Sequence, residues 1–288
     1  MKYVLVTGAS TGIGYSTARA FLEKGYHVYG SVRKPADAER LQQELGKNFR
    51  PVLFDVTDET AVAAAAAQIE SEIGEVGLFC LVNNAGVATS GPLILQPITE
   101  IRTQFEVNVI GQFIVTQAFG KLLGARKPCP HPPGKILMIS SLGGKISAPF
   151  VGAYSGSKHA LEGMSNSLRR ELLLYGIDVI IIGPGAVKTP IWDKPAATDI
   201  SSVIGTDYEE SARRFRKEFV ETGREAGLEV APFGRRMVAI AESPRPKARY
   251  AIVPNRLKDW IVPRLLPART LDRIIGKGIG LLGKKKGK

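Results

Sequence analysis

Val6-Thr7-Gly8-Ala9-Ser10-Thr11-Gly12-Ile13-Gly14, at positions 6–14, joins the apolar run Tyr3–Thr7 to a helical stretch that begins at Tyr15. It reads as a strand, a glycine turn and the start of a helix. Gly8 permits the turn, Gly12 lets backbone approach a pyrophosphate, and Gly14 lets helix and strand pack closely. Ser10, Thr11 and Ile13 complete the loop. The helix N-terminus behind it offers free N–H groups and the positive end of a dipole to an anion. A glycine triplet alone is common; its meaning comes from lying between a first strand and a first helix. The same residues spell G-x-S-x-G, the nucleophile elbow of hydrolases. That elbow needs earlier strands and a later acid and histidine. Only six residues, Met1–Val6, precede the Thr7 that opens the turn, and only His131 or His159 comes late enough. A hydrolase is excluded on this order.

Outward from the turn, short apolar runs alternate with helical patterns. The strands expected are Tyr3–Thr7, His27–Val32, Arg50–Asp55, Leu78–Asn83, Lys135–Ser140, Ile177–Gly183 and a last one near Tyr250–Pro254. The helices expected are Tyr15–Lys24, Ala36–Leu45, Glu59–Ile73, Ile98–Leu123 and Ser155–Tyr175. Such alternation predicts βαβ units and an α/β fold: a doubly wound parallel sheet of Rossmann type, covered on both faces. The expected domain spans 1–254, with 191–249 inserted as a polar lid containing a helix around Tyr208–Thr222. A long segment after a strand's C-terminal end falls where α/β sheets bind ligands. Residues 255–288 form an extension. Gly124–Gly134, with four prolines, is a surface loop.

The 288 residues suffice for a core without disulfide or metal. Cys80 and Cys129 lie in unlike settings, so no disulfide is expected, and the three histidines have no partners at zinc spacing, so no metal is expected. The apolar start is too short for a signal-peptide core, which points to a cytoplasmic location. Charge is concentrated at the end. From Arg245 to Lys288 there are 13 Lys/Arg and 2 Asp/Glu, against 26 and 25 in the preceding 244 residues. In Leu271–Leu282, Leu271, Ile274, Ile275, Ile279 and Leu282 share a helical face before Lys284-Lys285-Lys286. Two readings stand: peripheral contact with an anionic membrane surface, or a C-terminal helix that covers the active site or a partner subunit. Nucleic acid is not expected, since aromatics do not interleave with the bases.

The end of the second strand bears on the coenzyme. Where a carboxylate would hold a ribose 2′-hydroxyl, the chain reads Ser31-Val32-Arg33-Lys34. A guanidinium matches phosphate bidentately, so Arg33 points to the 2′-phosphate of NADP(H). The alternative is an ordinary solvated arginine at a strand end. Tyr154-Ser155-Gly156-Ser157-Lys158 places a phenol and an amine on one helix face. With a pyridinium nearby, the amine is expected to lower the phenol's pKa toward working pH, making Tyr154 a general acid/base. Ser141 ends the fifth strand, thirteen residues upstream of Tyr154. Asn108 sits inside a helix, where asparagine is unfavourable; it is either tolerated or bends the backbone for a water.

In order and spacing these pieces resemble the short-chain dehydrogenase/reductase family over roughly Lys2–Pro190. The matching motifs are TGASTGIG at 7–14, Asp55-Val56, NNAG at 83–86, Asn108, Ser141, YSGSK at 154–158, and Pro184-Gly185 with Thr189. The resemblance implies an NADP(H)-dependent oxidoreductase that interconverts a ketone or aldehyde and an alcohol. Ser141 would polarise the substrate oxygen, Tyr154 would exchange the proton, and Lys158 would lower its pKa and hold the nicotinamide ribose. Asn108 would anchor a water in a relay ending at Lys158. Asp55 and Val56 would line the adenine pocket, Asn83, Ala85 and Gly86 the adenine-side ribose region, and Pro184, Gly185, Val187 and Thr189 the carboxamide. Pairing into a dimer or tetramer through Ile98–Leu123 and Ser155–Tyr175 is also implied. In its lid and tail the chain is similar to the steroid- and retinoid-type members, so a lipophilic small-molecule substrate of lipid or steroid metabolism is expected. The alternatives are a β-ketoacyl thioester reductase and a catalytically idle NADP-binding scaffold.

Overall fold

A computed structural model describes residues 1–190 and 200–282. The first nine residues of the predicted lid and Lys284-Lys285-Lys286 lie outside the described residues. Seven parallel strands form one sheet: β1 (Tyr3–Val6), β2 (His27–Val32), β3 (Phe49–Leu53), β4 (Leu78–Asn83), β5 (Lys135–Ile139), β6 (Asp178–Pro184) and β7 (Arg249–Ile252). Their order is β3-β2-β1-β4-β5-β6-β7, so the direction of winding reverses between β1 and β4. The crevice beyond the carboxyl ends of those two strands is where such sheets bind ligands.

The strands are near-continuous apolar runs because both faces are covered. One face packs against α1 (Gly12–Glu23), α2 (Pro35–Leu45) and a helix at Val230–Glu242. The other packs against α3 (Glu59–Ile73), the α4 (Ile98–Phe105) and α5 (Gly111–Ala118) pair, and α6 (Gly152–Glu171). The predicted helix Ile98–Leu123 is interrupted by a π-helical turn, Glu106–Ile110, centred on Asn108. Cys80 and Cys129 are both free.

Two readings of the C-terminal half change. The segment 191–249 is not a lid throughout. Its described helices include α7 (Glu209–Phe215) and α8 (Val230–Glu242). The second belongs to the sheet's helical layer, with Phe233, Met237, Val238, Ile240 and Ala241 in the core. Pro232 and Gly234 disguise it in the sequence. Yet a Cβ on Gly234 would stand 2.3 Å from the Ser16 carbonyl, so glycine there lets α8 lie against α1. Of the described residues in this segment, only those from Ile200 to about Glu229 stand outside the layers.

The amphipathic face of the last helix, α9 (Ala268–Gly278), is also divided. Ile275 and Ile279 pack inward with Phe150, Val203, Ala212 and Phe215, the last two from α7. Ile274 stays 55% exposed. Gly280 turns the chain so that Leu281 donates its N–H back to the Gly276 carbonyl at 2.8 Å. Of the predicted face, Ile275 and Ile279 are thus engaged in this cluster, while Ile274 and Leu282 stay exposed. Among the described residues no helix is long and apolar enough to cross a membrane.

Candidate active site

The glycine turn is pinned from both neighbouring strands. Ser31, at the end of β2, accepts the Gly8 N–H on its hydroxyl at 3.0 Å and the Ala9 N–H on its carbonyl at 2.9 Å. From β4, Asn84 donates its amide to the carbonyls of Thr7 at 2.9 Å and Gly8 at 3.2 Å. Gly8 and Gly12 adopt φ of +65° and +60°, which L side chains rarely tolerate. A Cβ on Gly14 would fall 2.2 Å from the Gly8 carbonyl oxygen, so nothing larger fits there. Thr11 occupies the N-cap of α1 without a side-chain hydrogen bond to the first turn. Those N–H groups stay directed at the crevice, an arrangement that fits a pyrophosphate. Ser10 and Ile13 flank the turn, each partly exposed.

At the ends of β2 and β3, the Arg33 guanidinium lies 3.5 Å from the Asp55 carboxylate, and both side chains reach solvent. Burial pushes the Asp55 carboxyl up, but the Thr57 N–H, the Thr57 hydroxyl and Arg33 hold it lower overall. Val56 is buried against Gly111.

The predicted catalytic residues come together on the other side of the switch point. Ser141 follows β5 in extended conformation and caps a short 3-10 turn, its hydroxyl accepting the Gly143 N–H at 3.0 Å. A Cβ on Gly143 would stand 3.4 Å from both Ser141 Oγ and Tyr154 Cε1, which puts serine and phenol around one point. Lys158, one turn along α6, has its Nζ 5.9 Å from the Tyr154 ring centroid. That amine is 4% exposed and donates to the Ile139 carbonyl at 2.9 Å. Asn108 is fully buried and holds the loop after β4. Its Oδ1 accepts from the Val87 N–H at 2.8 Å, and its Nδ2 donates to the Val87 carbonyl at 2.9 Å and to Ser157 Oγ at 3.0 Å.

The sequence profile described as short chain dehydrogenase matches residues 2–199. The chain is 41% identical over 279 residues to an NADPH-dependent 3-dehydrocapnine reductase of Ornithobacterium rhinotracheale, covering 97% of this chain and 98% of that one. The chain belongs to the short-chain dehydrogenase family. Human dehydrogenase/reductase SDR family member 9 is 31% identical over 297 residues, covering 96% and 88%. A solved short-chain dehydrogenase from Streptomyces avermitilis superposes with a TM-score of 0.77 at 27% identity, covering 96% of each chain. The protein is thus a nicotinamide-dependent oxidoreductase.

Against the family's pattern, several residues of this short-chain dehydrogenase sit otherwise than expected. The Asn83 side chain is 1% exposed and turned inward, donating to Thr116 Oγ1 at 2.8 Å. It offers the crevice backbone only. Its neighbour Asn84 has the structural task, a role not read from the sequence because a strand-end asparagine pair gives no sign of which member faces the turn. Ala85 and Gly86 do lie at the crevice; a Cβ on Gly86 would meet Asn108 Oδ1 at 3.1 Å and Lys158 Nζ at 3.8 Å. Both amide hydrogens of Asn108 are committed, to the Val87 carbonyl and Ser157 Oγ. Pro184 ends β6 and Gly185 bonds to the Ile252 carbonyl at 2.9 Å. Thr189 then crosses the turn, 3.3 Å from a Cβ placed on Gly12, while Val187 is buried.

The expected lowering of the Tyr154 pKa is not what this chain's own groups produce. Burial raises the phenol, and a hydrogen bond with Ser141 opposes it only in part. Lys158 is itself lowered by burial to about 8, partly countered by Glu162. In both groups desolvation by burial is the dominant cause.

Proposed function

We propose that this protein is an NADP(H)-dependent reductase of a lipophilic ketone or aldehyde, with Tyr154 as the proton donor. The observation that carries the reading is the convergence of Ser141, Tyr154 and Lys158 beside a glycine turn that excludes side chains. NADPH-dependent reduction is what the relative from Ornithobacterium is named for, at 41% identity across nearly the whole chain. When bound, NADPH supplies the hydride. The chain's own part is electrostatic and protonic. A phenol whose pKa is raised by burial is fully protonated at neutral pH and ready to donate to the carbonyl oxygen. The Ser141 hydroxyl donates a hydrogen bond to the same oxygen, and the Lys158 ammonium favours the phenolate left behind. Arg33 binds the 2′-phosphate. Asp55 and Val56 flank the adenine, with Thr189 and Pro184 at the nicotinamide end.

A lipophilic substrate is supported by the mouth of the site. Leu93, Ile94 and Leu95 are 56%, 79% and 41% exposed. Leu93 lies against Gly152, two residues before Tyr154. Peripheral membrane contact, if the substrate is delivered from a lipid surface, falls to Leu257, Ile261 and Leu265, a stripe at four-residue spacing between Arg256, Lys258 and Arg264. Pairing through α4–α5 and α6 is supported by exposed Phe105, Ile110 and Met164. The decisive experiment follows NADPH absorbance with ketones and aldehydes of graded chain length. Turnover should rise with apolar length and vanish in Tyr154→Phe. A Tyr154→Phe variant as active as the parent would mean an idle scaffold with an adventitious reaction.

A further inference from the structure

Glu162 is fully buried on α6, one turn beyond Lys158. Three side chains from three other segments converge on it. Ser140, next to Ser141, donates its hydroxyl at 2.9 Å. Lys145 Nζ lies 3.1 Å from Oε2. Arg249 of β7 donates Nε to both carboxylate oxygens at 3.1 Å and Nη2 to Oε1 at 2.8 Å. The same Nη2 reaches the Ser141 carbonyl at 3.4 Å. Space for this cluster is made by glycines: a Cβ on Gly183 would lie 2.4 Å from Arg249 Nη2, and one on Gly144 2.6 Å from Ser140 Oγ.

On its outer side the Arg249 guanidinium stacks 4.1 Å from the ring centroid of Trp260, which is itself covered by Arg264 at 4.3 Å. Trp260 is the buried residue of the turn Leu257–Ile261, in the extension beyond β7. A bidentate fork fixes direction as well as distance, and stacking on an indole restricts the fork further.

We propose that Glu162 and Arg249 are a positioning pair that sets Ser141 and Lys158, and that Trp260 holds the pair, so that the C-terminal extension is a working part of the catalytic site. The proposal rests on the reading of Tyr154 as proton donor. None of the three residues touches the reacting atoms. Their effect runs through the Ser140–Ser141 backbone and through the charge beside Lys158. The charged groups around Glu162 are Lys158 on its own helix, Lys145 after β5 and Arg249 on β7. Removing the carboxylate leaves the two other cations, and both then act on the Lys158 amine in the same direction as the lost attraction, disfavouring its charge.

The test compares Glu162→Gln, Arg249→Lys and Trp260→Leu with the parent, full chain, using NADPH and the best carbonyl of the panel. In each variant kcat is expected to fall about ten-fold or more while KM and NADPH affinity change little. Separately, the Lys158 amine resonance in isotope-labelled protein, assigned with Lys158→Met, should titrate at lower pH in Glu162→Gln than in the parent. This second readout needs no turnover. A parent that reduces no carbonyl removes the proposed function, while the resonance still decides the pair. Variants that turn over within about two-fold of the parent, with the Lys158 midpoint unmoved, overturn the proposal. If Glu162→Gln does not fold, Arg249→Lys keeps the cation, loses the fork and carries the same test.

Discussion

The Arg33 guanidinium and the Asp55 carboxylate face each other at 3.5 Å across the ends of β2 and β3. The pair is exposed enough to be worth little to stability, and it leaves most of the guanidinium's five donors free. Arg33→Ala is therefore expected to leave the melting temperature nearly unchanged but to weaken NADPH binding by about ten- to a hundred-fold, the loss of a charge-assisted contact. NADH, which lacks the phosphate, should bind nearly as before. Titrating both coenzymes by fluorescence checks this; equal losses would contradict the phosphate role.

Lys158 carries a pH signature. Its folded-state pKa lies near 8 against an ordinary 10.5. Between these values the unfolded chain binds a proton that the folded chain does not, so this group makes stability rise with pH across that window. At pH 7 the folded protein bears the cost of a buried ammonium. Lys158→Met, which removes the charge and keeps the bulk, should thus stabilise the protein more at pH 7 than at pH 10, by on the order of 2–3 kcal/mol. Denaturant unfolding of both proteins at the two pH values measures it. An equal difference at both would mean that the amine is not desolvated as described. The same variant should have lost turnover.

Gly14 and Gly163 make a matched pair of substitutions. Both are helical, but a Cβ on Gly14 would meet the Gly8 carbonyl at 2.2 Å and the Asn84 amide at 2.5 Å, whereas one on Gly163 meets nothing within 4 Å. Gly14→Ala must push the turn off Asn84, with a cost of about 1–3 kcal/mol and loss of coenzyme binding. Gly163→Ala should stabilise by roughly 0.5–1 kcal/mol and leave activity intact. Thermal unfolding and NADPH titration of the two variants together give the contrast. A Gly14→Ala protein that binds NADPH normally would remove the close approach from the account of this site.

The parts of this molecule that could be read in advance are those encoded by neighbours in sequence. The glycine turn, the Tyr154–Lys158 spacing and the apolar strands depend on local geometry, and each lies where its pattern placed it. The doubly wound parallel sheet followed because strands joined by helices have few ways to wind, whereas its strand order came only with the structure. What stayed hidden depends on partners far along the chain. Arg249 and Glu162 are 87 residues apart, and nothing around either marks the other. Which of Asn83 and Asn84 faces the turn shows only in their distant partners, Thr116 for the first and the Thr7 and Gly8 carbonyls for the second. The helix Val230–Glu242 was masked by a proline and a glycine whose use appears only when α1 is beside it. The direction of the Tyr154 shift depended on burial, which spacing does not report.

Ile279 joins the chain's end to the mouth of the site. It is 7% exposed and packs in one cluster with Phe150, Val203, Ala212 and Phe215. Phe150 carries a φ of +64°, a conformation that costs a non-glycine residue of order 1–3 kcal/mol and that its surroundings must hold. Four residues later comes Tyr154. The cluster is small and separate from the two main cores, so weakening it should open the lid and not unfold the sheet. Ile279→Asp buries a carboxylate with no partner there, and the helix Ala268–Gly278 is expected to undock. Hydrogen exchange should then accelerate in Glu209–Phe215 and Ala268–Gly278 while the strands keep their protection. KM for the longest substrates should rise several-fold, because the covered apolar wall is lost, while NADPH binding at the opposite side of the switch point is retained. Unchanged exchange in Glu209–Phe215 would show that the last helix does not hold the lid, and the polar segment after β6 would then need another support.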